Sequence, residues 1–262
     1  RALSAIRTDN AKKVLVASLL RRSGTPKTQK DIIHAIADVQ IADAENVLKA
    51  MLGSSDENMQ KEVLYALSRV GSKASLSDLA AVAEKAGYKM EKTGANEAYI
   101  ALIKRVLEQG DTKDAEKAAN DLLKKSTKAG MTQTREAALQ ILLAAKPEAA
   151  TKNLLSALKD TDKGYRNAAL NFASGFADQN ILNWIGRESK CPSKHDVIKN
   201  LELRFDLPAR QVLLDQLKDK DFYVQQAAVW ALVKIGDKSV IPVLADLLKS
   251  NDKQVILLGQ DA

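Results

Sequence analysis

One spacing recurs along this sequence and constrains its fold more than any bulk property. Tyr165, Ala169, Phe172 and Phe176 stand at offsets 0, 4, 7 and 11, which puts them on one face of a helix with about 3.6 residues per turn. The same apolar ladder is built by Met59, Val63, Ala66 and Val70, by Ala95, Tyr99, Leu102 and Val106, by Thr134, Ala138, Ile141 and Ala145, and by Val224, Ala228, Ala231 and Ile235. Shortened ladders start at Ile32 and Ile198, and Val255 opens another near the chain end. Successive starts are separated by 27, 36, 39, 31, 33, 26 and 31 residues. A period in the low thirties fits one helical hairpin per repeat.

Each ladder is followed by a break and a second apolar run, such as Leu76, Leu79, Ala80 and Ala83, or Leu154, Leu155 and Leu158. These runs predict the partner helices. Gly71 and Gly236 stand where a left-handed residue ends a helix, and Ser54 with Glu57, Ser75 with Asp78 and Ser193 with Asp196 have capping-box spacing. Thr25-Pro26 and Leu207-Pro208 place proline at predicted helix starts, where it costs least. Alternating strand-like segments are absent from the sequence. The prediction is an all-α fold: a right-handed α-solenoid of antiparallel helix pairs, about seven in number, spanning 1–262 as a single domain in which each pair buries its apolar face against its neighbours.

The run from Val224 to Leu248 carries a family resemblance. Ala227-Ala228 lets helices approach, Ile235-Gly236-Asp237 makes the turn, and Pro242 sits in the first turn of the second helix. This segment resembles a HEAT repeat of the short bacterial type first noted in phycobilisome lyases. Arg135 to Leu158 and Tyr165 to Phe176 approach the same pattern, which degenerates between 177 and 218, where Arg204 replaces an apolar rung. Arg1 to Ile6 reads as the tail of one helix and Val255 to Ala262 as the start of another. Because solenoids need capping units with a polar outer face, the expectation is a fragment of a longer chain with a partial repeat at each end.

Of the 262 residues, 45% are hydrophobic and 28% charged, which excludes a disordered polyelectrolyte, and no stretch approaches the apolar length of a membrane span. No membrane insertion is expected, and the compartment is left open. The formal charge of +7 is local: residues 1–30 hold eight basic groups against Asp9, while the rest of the chain holds 32 of each sign. Within that basic run Lys12, Lys13, Arg21 and Arg22 point all round their helix, and no aromatic accompanies them. Nucleic acid is therefore not the favoured partner.

Catalytic chemistry has little to stand on. Cys191 and His195 are four residues apart and His34 is remote, so neither a zinc site nor a nucleophile with an orienting group is supplied. No catalytic residue, cofactor or metal is assigned, and the chain is read as a non-enzyme. Trp184 and Trp230 invite comparison with alkylpurine DNA glycosylases, which are built from HEAT-like repeats, but both are expected to be packing residues. The sharper feature is a row of Lys113, Lys117, Lys124 and Lys128, within about 60° on a helical wheel, with Ala115, Ala119 and Leu122 opposite. In HEAT stacks the second helices line the concave surface, so the resemblance aims this row into the groove. Its alternative is an ordinary solvated face, flanked by Glu116 and Asp121.

The function expected is a non-catalytic binding or scaffolding module that presents a concave helical surface to a protein partner, with these four lysines as partner-binding candidates. Two alternatives stand beside it: an accessory region of a larger bacterial enzyme, for which the resemblance suggests carbohydrate-active relatives, and a nucleic-acid binder or HEAT-like DNA glycosylase.

Overall fold

A computed structural model describes residues 8–22, 24–173, 207–235 and 238–262. Cys191, His195, Trp184, Arg204, Ser193, Gly236 and the segment before Thr8 lie outside the described residues. The structure is an all-α solenoid, and among the described residues no strand occurs. The helices are α1 (Asp9–Leu20), α2 (Pro26–Val39), α3 (Glu45–Lys49), α4 (Glu57–Val70), α5 (Leu76–Lys85), α6 (Ala95–Glu108), α7 (Thr112–Lys128), α8 (Thr132–Ala145), α9 (Ala150–Leu158), α10 (Lys163–Ala173), α11 (Leu207–Gln216), α12 (Phe222–Ile235), α13 (Ile241–Ala245) and α14 (Lys253–Asp261). Six of the ladders fall inside even-numbered helices, and the second runs fall in or just beyond odd-numbered ones.

The described chain divides into two compact units, Arg1–Pro147 and Glu148–Ala262. In the first, α2 packs on α4, α4 on α6 and α6 on α8, forming a layer of first helices. The second helices α1, α3, α5 and α7 form the other layer, each packed on the first helix of its own or the next pair. Between the layers Leu19, Ile36, Leu48, Leu67, Leu102 and Leu122 are fully buried. In the second unit α9 packs on α10, α11 on α12, and α12 on α14.

The loops that lead into first helices repeat a device that the capping-box expectation missed. The side chain of Ser54 accepts from the N–H of Asp56 at 3.3 Å, and Asp56 in turn caps α4 by accepting from Asn58 N and Met59 N. Asp160 and Asp162 do the same before α10, Asp219 and Asp221 before α12, and Ser250 and Asp252 before α14. The caps are therefore aspartates two residues after a Ser or Asp, and Ser54–Glu57 is not a capping box. Ser75 fails as a cap for a different reason: its hydroxyl donates to Glu45 at 2.5 Å, and Glu45 also accepts from the N–H and hydroxyl of Ser72. That carboxylate ties α3 to the loop before α5.

Gly71 also corrects the expectation. Its φ of −63° and ψ of 156° are extended rather than left-handed. Glycine is required there by contact, since a Cβ would stand 2.5 Å from Leu67 O and 3.0 Å from Leu102 Cδ1. Thr25-Pro26 behaves as expected, with Thr25 Oγ1 accepting from Thr28 N and proline in the first turn.

Candidate functional site

Helix α7 owes its amphipathic character to Ala115, Ala118, Ala119 and Leu122, all buried, while Lys113, Lys117, Lys124 and Lys128 are all exposed on the opposite side. The structure thus brings the four predicted lysines onto one face of the second-helix layer. Their acidic neighbours are engaged elsewhere. Lys73 reaches Asp111 at 2.8 Å and Asp114 at 3.6 Å, and Lys146 reaches Glu116 at 3.3 Å. Lys125, one residue beyond the row, pairs with Glu84 of α5 at 2.7 Å. Hydrogen bonds to these carboxylates hold the ammonium groups of Lys73 and Lys125 above their ordinary pKa. No member of the row has an ion-pair partner among the described residues. Asp121, at the edge of the face, is the remaining acid of the helix.

At the C-terminal end of α7 the chain forms a cavity of about 380 Å³ that the sequence did not announce. Its walls come from the loop after α5 (Tyr88, Lys89, Met90), the first turns of α6 (Asn96, Ile100) and the turn into α8 (Gly130, Met131). Tyr88 is buried with φ +58°, and burial pushes its phenol above its ordinary pKa. Met90 is 72% exposed at the rim.

The cavity sits where a repeated brace changes. In three of the ladders the residue one after the start donates back to a carbonyl of the loop before its helix. Gln60 donates to Leu52 O, Arg166 to Asp160 O and Gln225 to Asp219 O. The equivalent residue in α6 is Asn96, whose shorter amide reaches forward, donating to Thr134 Oγ1 at 2.8 Å. Thr134 spends its single hydroxyl proton on Tyr88 O at 2.7 Å, so it can only accept from Asn96, which fixes the amide orientation. Asn96 Oδ1 is left buried without a donor. The signals that could have located this site were the Asn in a position that the other full ladders give to Gln or Arg (Gln60, Arg135, Arg166, Gln225), and the long link between Lys85 and Ala95.

The entry to α6 is secured by Glu91. Its carboxylate accepts from the N–H of Thr93 at 2.7 Å and of Ala95 at 2.9 Å, and from the Thr93 hydroxyl. Burial alone would raise this carboxyl, but the hydrogen bonds from Thr93, Ala95 and Gly94 hold it below its ordinary value.

Repeats built from antiparallel pairs, stacked first helix on first helix, with the same helix-entry cap recurring before α4, α10, α12 and α14, define a family when the sequence carries the same signature. The family model for HEAT repeats matches residues 13–100 and 181–258. The chain belongs to the HEAT-repeat family. The chain is also similar to solved structures. One is an engineered protein, 20% identical, covering 99% of this chain and 82% of its own, with a TM-score of 0.30. A second engineered protein is 20% identical, with coverage of 97% and 94% and a TM-score of 0.23. A designed armadillo repeat protein is 17% identical, with coverage of 94% and 95% and a TM-score of 0.20. No curated protein matches the chain.

Two further sequence expectations bear on the site. Trp230 is 39% exposed on α12, so it packs with part of its surface open to solvent. His34 lies on α2, where its ring stacks on Tyr65 at 5.3 Å and its Nδ1 is 3.2 Å from Glu62. Among the described residues no group of three or more His, Cys, Asp or Glu side chains is placed to hold a metal, and no helix is long and apolar enough to cross a membrane.

Proposed function

We propose that this HEAT-repeat chain is a non-catalytic binding module whose second-helix layer, centred on α7, docks a protein partner. The observation that supports this reading is the charge arrangement of α7. Three of its neighbouring acids are held by Lys73 and Lys146, while Lys113, Lys117, Lys124 and Lys128 project into solvent with no partner of their own among the described residues. A repeat surface of this kind is rigid because successive pairs are cross-linked. Arg69 donates to Ala37 O at 3.2 Å and Arg105 to Gly71 O at 3.1 Å, each from one first helix to the end of the one before. Lys49 pairs with Asp78 at 2.8 Å between second helices. Rigidity lowers the ordering cost of association.

The test places a photo-reactive amino acid at position 117 or 124, and separately at exposed position 61 on α4, in cells that express the chain. Discrete protein adducts at 117 and 124 but not at 61 are expected. Adducts that do not depend on position, or none at 117 and 124, would remove the reading.

A further inference from the structure

We infer that the partner segment is an acidic peptide led by one bulky apolar side chain, which enters the cavity between Tyr88, Met90 and Met131 while its acids run along the lysine row of α7. The inference rests on the protein-binding reading above and names the chemistry of the partner. Its first support is continuity. Gly130 and Met131 wall the cavity, and Lys128, the last of the row, lies two residues before Gly130. The cavity and the C-terminal end of the row are therefore neighbours along the chain.

The second support is the chemistry of the cavity. Its volume of about 380 Å³ accommodates a large side chain, and its walls are chiefly apolar through Met90, Ile100 and Met131. Asn96 lies on its wall, 3% exposed, with Oδ1 facing no donor. An occupant that shifts the wall at Asn96 would bring a peptide N–H to that buried oxygen, and a hydrogen bond to a buried unpaired acceptor carries weight.

Charge sets the direction of the chain. The cavity walls carry Lys89 and Glu97, which offset each other, so the excess positive charge lies toward α7. From Lys113 to Lys128 the row is 15 residues of helix, about 22 Å at about 1.5 Å per residue, which an extended peptide spans in about seven residues. The lysines form two pairs, Lys113 with Lys117 and Lys124 with Lys128, separated by Asp121 at the edge. A nucleic-acid strand fits this surface less well. Its regularly spaced phosphates would meet Asp121 between the pairs, and the row contains neither arginine nor an aromatic stacking platform.

The experiment selects displayed random dodecapeptides on the full chain, then measures the enriched sequences as fluorescein-labelled peptides by anisotropy. A 20-base-pair labelled DNA duplex is carried through the same titrations. Two variants at exposed positions, Lys124→Glu with Lys128→Glu, and Met90→Asp, keep the buried core intact, which unchanged thermal unfolding verifies. Enriched peptides are expected to carry an apolar residue followed within about seven positions by two or more acids. Each variant should weaken such a peptide about tenfold or more, the first mainly through charge, with a loss that shrinks as salt rises.

Peptides that bind but lack this pattern, or that ignore both variants, would overturn the inference and leave the binding-module reading intact. Duplex binding that depends on Lys124 and Lys128, with no peptide selected, would overturn it in favour of a phosphate-backbone surface. Absence of both peptide and duplex binding would also overturn it, and the position-specific adducts described above then decide the broader reading separately.

Discussion

Glu91 and Gly71 show two ways in which a single residue holds a repeat junction. Gly94 precedes α6 with φ +70° and has no side chain to cap it, so the Glu91 carboxylate takes the free N–H of Ala95 in the first turn together with that of Thr93 before it. Its folded pKa is depressed, and a depressed carboxylate contributes stability above its unfolded pKa and loses it as pH falls through the folded value. Glu91→Gln should therefore cost about 1 kcal/mol at neutral pH. In urea titrations the gap between wild type and variant should close as pH drops below about 4. A gap that stays constant to acid pH would show that charge is not the cause. At Gly71 the limit is space. Gly71→Ala places its Cβ against Leu67 O and Leu102 Cδ1 and should cost about 1–3 kcal/mol. Gly53, where a Cβ meets nothing within 4 Å and φ is not positive, is the control. Gly53→Ala should be neutral or slightly stabilising in the same denaturation assay.

At the scale of the element, α4, α10, α12 and α14 are entered through an aspartate cap, and α4, α10 and α12 are also braced from behind by the residue after the ladder start. Asp56→Ala and Asp162→Ala should each lower stability by about 1 kcal/mol, measured as the shift in urea midpoint. Wild-type stability in both variants would mean that neighbouring packing alone fixes the helix starts. The helices themselves were legible because their evidence is local: Ala95, Tyr99, Leu102 and Val106 are four rungs of one ladder, and all four are buried. The braces were less so. Ser54-x-Asp56, Asp160-x-Asp162, Asp219-x-Asp221 and Ser250-x-Asp252 recur in the sequence, yet the pattern competes with the capping box that Ser54 and Glu57 mimic, and only hydrogen-bond geometry separates the two. Arg69 and Arg105 likewise stand ten residues after their ladder starts, a periodic signal whose meaning depends on which carbonyl lies across the junction. The lysine row was legible as an amphipathic helix, whereas the cavity beside it was not. Its walls join Tyr88 and Met90 to residues about forty positions later, and no local spacing encodes that meeting.

For the whole molecule, nearest-neighbour physics governs stability: a repeat feels the pairs it touches and little else. Each of the two compact units closes its own contacts. The core around Leu102 continues from Leu15 to Leu142 within the first unit, while Leu213, Val224 and Leu232 are buried in the second. Both tryptophans, Trp184 and Trp230, belong to the second unit, so their fluorescence reports that unit alone, whereas circular dichroism sums the helices of both. Leu102→Ala empties space at the centre of the first unit and should cost it about 2–5 kcal/mol. In a denaturant titration the dichroism transition should then broaden toward lower denaturant, with the fluorescence transition unmoved. If both signals shift together by the same amount, the chain unfolds as one cooperative body. The coupling across the Pro147–Glu148 junction is then at least as strong as the coupling between pairs within a unit.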